Sequence, residues 1–261
     1  MNIYDCLIYN NEELMLDFRL SHLNKYVKKF IIVEAKFTHQ GTLKKNFLNL
    51  DNFQKYKDKI VHLFIEKFPE NFTNWQRENY QRNFITNGLN FLLDEDLVMI
   101  SDIDEIPNLN KLNKLINSKY TVFRQRNFSY KMNLINSTYP TWYGTRMCKK
   151  KLLKSPQWLR NQKIKKNLIY KLFKIDWNII QDGGWHFSYL MEPEKIKEKI
   201  MSFGHSEFNK REFIDLEIIE KNIKNNKDLF GRDQFYKKVE LDKTFPKMIF
   251  DKKLNYKDWI I

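Results

Sequence analysis

LVMISDIDE, at residues 97–105, is the stretch that decides the fold, because a short apolar segment ends in three acids. Such a segment before a polar turn is typical of a buried strand. In open α/β sheets, ligands bind in the crevice outside the carboxyl ends of the strands. The stretch therefore predicts a central strand that delivers Asp102 and Asp104 to a binding crevice.

Strands and helices alternate before this segment. Apolar segments at residues 3–9, 30–35 and 59–66 predict three strands. Apolar residues at helical spacing predict one helix after Asn11 and another over residues 74–93. This alternation predicts an α/β fold, with a mostly parallel central sheet flanked by helices.

The pattern changes after Pro107. We expect a short helix over 108–118, long strands over 120–132 and 141–153, a strand or loop over 179–190, and helices over 193–203 and 211–225. The two long strands have mixed polarity, which is typical of an antiparallel extension of the sheet. No repeat or linker divides the chain, so we expect a single domain of residues 1–261.

The chain is basic, with 46 Lys and Arg against 32 Asp and Glu and a formal net charge of +14. Lysine is dispersed and Ala35 is the only alanine, as an AT-rich genome would give. We therefore expect a basic surface suited to anionic lipid rather than specific nucleic-acid binding. Without a signal peptide or a bilayer-spanning segment, we expect a cytoplasmic protein, peripheral at the inner face of the membrane.

Several familiar sites are disfavoured because their motifs do not occur. The seven glycines form neither a dinucleotide-binding pattern nor a P-loop, and neither Gly-x-Ser-x-Gly nor His-Glu-x-x-His is found. The two cysteines, Cys6 and Cys148, provide neither a disulfide framework nor a CxxC zinc site.

Asp102 and Asp104 point to the same side of an extended segment, because alternate residues of a strand share a face. Carboxylate oxygens bind hard cations such as Mg²⁺ and Mn²⁺, which in turn bind substrate phosphates. Since no glycine-rich loop is present, such an ion would hold a diphosphate. The alternative interpretation is a solvated acidic turn or a helix cap.

Two further segments carry candidate residues. DGGWHFS, at 182–188, has a glycine pair that permits close approach of a ligand, so His186 is either a metal ligand or a buried histidine of the core. Arg77 and Arg82 lie on a polar helix face, which either binds a diphosphate through a guanidinium fork or forms surface salt bridges.

Six motifs together resemble glycosyltransferase family 17, which includes β-1,4-mannosyl-glycoprotein β-1,4-N-acetylglucosaminyltransferases. They are IYDC at 3–6, FIIVEA at 30–35, THQG at 38–41, WQRENYQR at 75–82, SDIDEIP at 101–107 and GWHFS at 184–188. The resemblance covers about residues 3–208. It implies a GT-A fold, a UDP-sugar donor such as UDP-GlcNAc, a Mn²⁺ or Mg²⁺ ion and inversion at the anomeric carbon.

This resemblance also implies how the chain is divided and which residues bind the donor. Residues 1–107 would form the nucleotide-sugar-binding half, 108–208 the acceptor and metal half, and 209–261 a C-terminal elaboration. The metal ligands would be Asp102, Asp104 and His186. The donor would contact Glu34, Arg77, Arg82 and Asp102, with Glu34 facing its base or ribose.

A carboxylate must take the proton of the acceptor hydroxyl. By position, the candidates are Asp182 beside the glycine pair, Glu105 beside the metal and Glu207 after His205. For a cytoplasmic enzyme we expect a glycan or lipid-linked acceptor. Two alternatives stay open: a basic module for nucleic acid or anionic membrane, and a metal-dependent nucleotidyltransferase.

Overall fold

The computed structural model describes residues 1–112, 119–164, 177–251 and 253–261. Within them, eleven strands form one sheet. The strands are β1 (Ile3–Tyr9), β2 (Lys29–Ala35), β3 (Ile60–Ile65), β4 (Leu97–Ser101), β5 (Glu105–Pro107), β6 (Tyr120–Ser129), β7 (Leu134–Asn136), β8 (Thr141–Lys149), β9 (Trp177–Ile180), β10 (Gly184–Ser188) and β11 (Tyr236–Lys238). The described helices are α1 (Glu13–Leu23), α2 (Asn74–Phe84), α3 (Pro156–Asn161), α4 (Pro193–Ile200), α5 (Arg211–Ile214), α6 (Leu216–Lys224) and α7 (Lys247–Asp251).

The sheet has a parallel half and an extension, which confirms the predicted fold class. Strands β3, β2, β1 and β4 lie side by side and pair in parallel. Strand β8 then pairs antiparallel with β4, and β6 antiparallel with β8. Short strand β10 runs parallel to β6 and antiparallel to β5, so it meets the end of the acidic loop.

Both faces of the parallel half are buried, which explains its nearly continuous apolar strands. On one face, Leu7 and Phe30 belong to a core cluster with Phe18 of α1. On the other face, Cys6 and Ile31 belong to a cluster with residues that follow α2. Within the described residues, no helix combines the length and apolar character that a membrane crossing requires.

Three predicted helices differ from those observed. Helix α2 ends at Phe84 and continues only as a 3₁₀ turn to Gly88, where an added Cβ would lie 2.7 Å from Ile31. The helix expected over 108–118 is described only as a 3₁₀ turn, Leu109–Lys111, and residues 113–118 lie outside the described residues. The helix expected over 211–225 is interrupted at Asp215, whose side chain caps α6.

A buried ion pair between α1 and β1 fixes the loop after β4. Arg19 donates to both carboxylate oxygens of Asp5, at 2.7 and 2.6 Å, and both side chains are 0% exposed. The same guanidinium donates to the backbone carbonyls of Asp102, at 3.2 Å, and Glu105, at 2.7 Å. Arg19 therefore determines the path of the acidic loop.

We expect Arg19→Met to lower the free energy of unfolding by about 3–5 kcal/mol, because it leaves the Asp5 charge buried without its partner. Urea unfolding at neutral pH measures the loss. The control is Lys28→Met, an exposed site where we expect a change within about 0.5 kcal/mol. A loss for Arg19→Met as small as the control's would contradict the role given to Arg19.

Candidate functional site

The candidate site lies at the carboxyl ends of β1 and β4, where the sequence predicts a crevice. Glu12 follows β1, and the acidic loop follows β4. Two cavities of about 630 and 490 Å³ adjoin each other at the end of β1, and Glu12, Lys45 and Lys195 line both of them. Acidic and basic side chains from distant parts of the chain therefore meet at one edge of the sheet.

Asp102 is held by two arginines. Its Oδ1 accepts a hydrogen bond from Arg82 Nη2 at 3.0 Å, and its Oδ2 accepts one from Arg160 Nη2 at 2.8 Å. Burial favours the neutral acid, but Arg160 and Arg82 outweigh it and hold the pKa of Asp102 well below its ordinary value. Since both oxygens are engaged, the structure does not support the prediction that Asp102 is a metal ligand.

Glu105 is buried and fully hydrogen-bonded. Its Oε1 accepts from Trp142 Nε1 at 2.8 Å and from Arg160 Nη2 at 3.0 Å. Its Oε2 accepts from Arg160 Nη1 at 2.7 Å and from the Asp102 backbone at 3.1 Å. A carboxylate so enclosed cannot reach an acceptor hydroxyl, so the structure does not support Glu105 as the base.

Asp104 and His186 face each other across 3.6 Å, measured from Oδ1 to Nε2. The other ring nitrogen, Nδ1, lies 3.0 Å from Oδ1 of Asn127, which is paired with His186 through β6 and β10. Because an amide oxygen only accepts, Nδ1 donates its proton to Asn127, and the other ring nitrogen, Nε2, faces Asp104. His186 is half-buried and pairs with these two polar side chains.

A divalent ion fits this pair only in part. Across the described ranges, no group of three or more His, Cys, Asp or Glu side chains is arranged to hold a metal ion. Asp104 and His186 therefore offer two ligands, an oxygen and a nitrogen. Such a pair suits Mn²⁺ or Mg²⁺ when substrate phosphates and water complete the coordination.

Lys199, on α4, links Asp104 to Glu12. Its Nζ lies 3.3 Å from Oδ2 of Asp104 and 3.3 Å from Oε1 of Glu12. Burial disfavours the ammonium, but Asp104 and Glu12 outweigh it and raise the pKa of Lys199 above its ordinary value. Burial likewise raises the pKa of Glu12, which Lys199 partly opposes.

The two arginines predicted to bind the donor have partners within the protein. Arg82 is buried and donates to Glu78, at 3.0 Å, as well as to Asp102. Arg77 donates to the backbone carbonyl of His39 at 3.0 Å and packs against Gly41. These contacts match the salt-bridge alternative for Arg82 and give Arg77 a role in holding the THQG segment.

Glu34 is 0% exposed and serves as an internal anchor. It accepts hydrogen bonds from Lys44 Nζ at 2.6 Å, from His62 Nε2 at 3.1 Å and from the backbone of Leu48. Burial opposes its ionisation, but His62 and Lys44 hold the pKa of Glu34 below its ordinary value. The structure does not support the prediction that Glu34 meets the donor's base or ribose.

The two remaining candidates for the base lie in different places. Asp182 occupies the turn before β10, four residues from His186, and lines a separate cavity beside the end of α1. The structure therefore does not bring it to Asp104. Glu207 is exposed, and a hydrogen bond from His205 Nδ1 at 2.7 Å lowers its pKa.

Trp142, Arg160, Asn127 and Lys199 belong to the site, although sequence analysis did not select them. Trp142 is 43% exposed, and its ring stacks on His186 with centroids 5.0 Å apart. They lie on β8, α3, β6 and α4, in segments that carry none of the recognised motifs. Their only sequence signal is that aromatic and basic residues are frequent in these segments.

Comparison with known sequences identifies the family to which the chain belongs. The sequence model of glycosyltransferase family 17 matches residues 1–233. The chain therefore belongs to a family of glycosyltransferases. It belongs to glycosyltransferase family 17.

Its relatives include the β-1,4-mannosyl-glycoprotein 4-β-N-acetylglucosaminyltransferases of Homo sapiens and Mus musculus. The human protein is 23% identical over 238 residues, which cover 79% of this chain and 44% of the relative. The mouse protein is 22% identical over 239 residues, which cover 79% of this chain and 43% of the mouse protein. The chain thus spans less than half the length of these two relatives.

Solved structures resemble the chain only distantly. The glycosyltransferase GlyE of Streptococcus pneumoniae has a TM-score of 0.35 at 10% identity, covering 68% of this chain and 45% of its own. The Francisella tularensis cytidylyltransferase IspD has a TM-score of 0.36 at 12% identity. The match covers 69% of this chain and 90% of IspD. These similarities add nothing to the assignment of function.

We expect Asp102→Asn to lower the free energy of unfolding at pH 7, and we expect this difference from wild type to shrink as the pH falls below about 4. The arginines depress the pKa of folded Asp102, so its stabilising contribution is present above the unfolded pKa of about 3.9 and is lost as the pH falls toward the folded value. Urea unfolding between pH 7 and pH 3 measures this.

The control for this series is Asp94→Asn, at an exposed position. Its effect should be small and nearly the same at each pH. A difference between wild type and Asp102→Asn that does not change from pH 7 to pH 3 would contradict the depressed pKa.

Proposed function

We propose that the chain transfers GlcNAc from UDP-GlcNAc to a hydroxyl group of a glycan or lipid-linked acceptor, with inversion at the anomeric carbon. The family establishes a glycosyltransferase, and the names of the relatives support GlcNAc as the sugar. Because the chain spans less than half of those relatives, their glycoprotein acceptor is not carried over. The net charge of +14 supports peripheral contact with anionic membrane, where lipid-linked acceptors lie.

One observation carries the metal-dependent form of this proposal: Asp104 Oδ1 and His186 Nε2 face each other at the end of β4. A Mn²⁺ or Mg²⁺ ion at this pair would neutralise the diphosphate leaving group as a Lewis acid. The hydrogen bond to Asn127 orients the imidazole so that Nε2 faces Asp104. Arg82 and Arg160 each pair with one carboxylate oxygen of the neighbouring Asp102, so we do not assign Asp102 as a ligand of the ion.

The reaction we propose is a single displacement. The acceptor oxygen attacks the anomeric carbon, its proton passes to a carboxylate, and UDP leaves with the electrons of the glycosidic bond. Of the three predicted bases, we retain Glu207, because Glu105 is enclosed by Arg160 and Asp182 lies at another cavity. Its hydrogen bond from His205 would orient the carboxylate.

Incubation with labelled UDP-sugars and Mn²⁺, followed by analysis of the products, tests the reaction type. Release of UDP with transfer of the sugar to an acceptor supports the proposal. Products of attack at the α-phosphate would instead identify the nucleotidyltransferase alternative. If the protein turns over no UDP-sugar and binds a nucleic-acid duplex at nanomolar affinity in physiological salt, the result would favour the binding-module alternative.

We expect His186→Ala to weaken Mn²⁺ binding and turnover together, with excess Mn²⁺ partly restoring the rate, because one of the two ligands is lost. Calorimetry gives the affinity, and UDP release gives the rate. In His62→Ala, which removes a partner of Glu34, Mn²⁺ affinity should not change. A destabilised His186→Ala variant with normal Mn²⁺ affinity per folded molecule would show that His186 is not a ligand.

We expect Glu207→Gln to lower kcat by roughly 100-fold or more, since a general base contributes about that factor, while UDP affinity stays the same. Steady-state kinetics and UDP calorimetry measure the two quantities. Glu212→Gln, at an exposed position further along the chain, is the matched control and should keep its kcat. Near-normal turnover in Glu207→Gln would assign the base elsewhere.

A further inference from the structure

Lys199 holds a position that a divalent ion would have to share. It reaches from α4 to the acid that follows β1 and the acid that follows β4, Glu12 and Asp104, at 3.3 Å each. Its side chain is 21% exposed, and its Nζ lies 5.7 Å from the ring centre of Tyr189. The ammonium is therefore held firmly beside the oxygen opposite the one that faces His186.

An ion at Asp104 Oδ1 and an ammonium at Asp104 Oδ2 would repel each other. Like charges a few ångströms apart repel each other strongly where solvent screening is reduced, and a divalent ion repels an ammonium group more than a single charge does. Their shared carboxylate offsets only part of this energy. Further negative charge is needed before both cations can stay.

A diphosphate could supply that charge from the adjoining cavity. Lys199 lines the cavity of about 490 Å³, together with Lys44 and Lys45. This cavity opens at the ends of β1 and β2, the edge of the sheet at which α/β proteins bind ligands. A diphosphate there would meet Lys199, whose ammonium also contacts Asp104.

We propose that the ammonium group of Lys199 neutralises Asp104 in the free protein. It then competes with the divalent ion for this carboxylate until a diphosphate binds. The ion alone then binds weakly, and the ion and the donor strengthen each other's binding by the same factor. This inference rests on the proposed function for the identity of the diphosphate. It adds that metal and donor enter as a cooperative pair because of one lysine.

The test is a titration of the full chain with Mn²⁺ alone, followed by calorimetry or electron paramagnetic resonance. Lys199→Met should bind Mn²⁺ about tenfold tighter than wild type or more, since the repulsion is removed. A second titration with saturating UDP, corrected for Mn²⁺ bound by free UDP, should show a smaller gain from UDP in the variant than in wild type.

Lys221→Met is the control, because Lys221 is an exposed lysine of α6 that lines neither cavity at the end of β1. It should leave the affinity for Mn²⁺ alone unchanged. Where Lys199→Met does not fold, Lys199→Gln serves instead, since an amide donates to both acids without a charge. It should shift Mn²⁺ affinity in the same direction.

Equal or weaker Mn²⁺ binding in the folded Lys199 variants overturns the inference, and so does an equal gain in the Lys221 control. Such a result leaves the proposed function intact if labelled sugar is still transferred. Conversely, absence of transfer from every UDP-sugar defeats the proposed function, while the titration with Mn²⁺ alone still decides the role of Lys199.

Discussion

The ion pair between Arg19 and Asp5 is the constraint on which the site depends. Neither side chain reaches solvent, so each charge must be neutralised within the protein. Beyond Asp5, the Arg19 guanidinium donates to three backbone carbonyls in the loop at 102–105, including that of Ile103. One helix, one strand and the acidic loop are thereby joined, and the loop cannot move without leaving buried donors unpaired.

Charges in the acidic loop are separated into two environments. Asp102 and Glu105 share Arg160, which makes an ion pair with each of them, and so they act as anchors. Asp104 has no arginine partner among the described contacts and faces a lysine and a histidine instead. One loop thus contains two structural carboxylates and one that is placed for ligand binding.

The parallel half of the fold could be predicted because its strands are buried on both faces and read as short apolar runs. Strands β1, β2 and β4 match their predicted ranges closely. Helix α2 is shorter than predicted because Gly88 must pack against Ile31, a requirement of tertiary packing that helical periodicity does not reveal. The predicted antiparallel extension is also observed, although its strands end earlier than the apolar pattern suggests.

Residues of the candidate site could be predicted where they belong to a motif near a strand end. Residues that contact the site from segments distant in the sequence could not. Asp104 and His186 come from such motifs, and β5 and β10 bring them together. Arg160 and Lys199 lie on helices with no motif, yet they decide which acids are available. Glu34 illustrates the same difficulty. Its position near the end of a strand suits a ligand, whereas its buried carboxylate already pairs with Lys44.

Every acid in the loop pairs with a cationic side chain of the protein, and this pairing affects how the loop folds. Asp102, Asp104 and Glu105 would repel one another if they were charged and unpaired at such close spacing. Arg82, Arg160 and Lys199 supply the opposite charges from three helices, so the loop can reach its final conformation without an ion. A structural zinc site, by contrast, folds only with its metal. The loop is therefore preorganised, and the free energy of binding a ligand there would not be spent on ordering it.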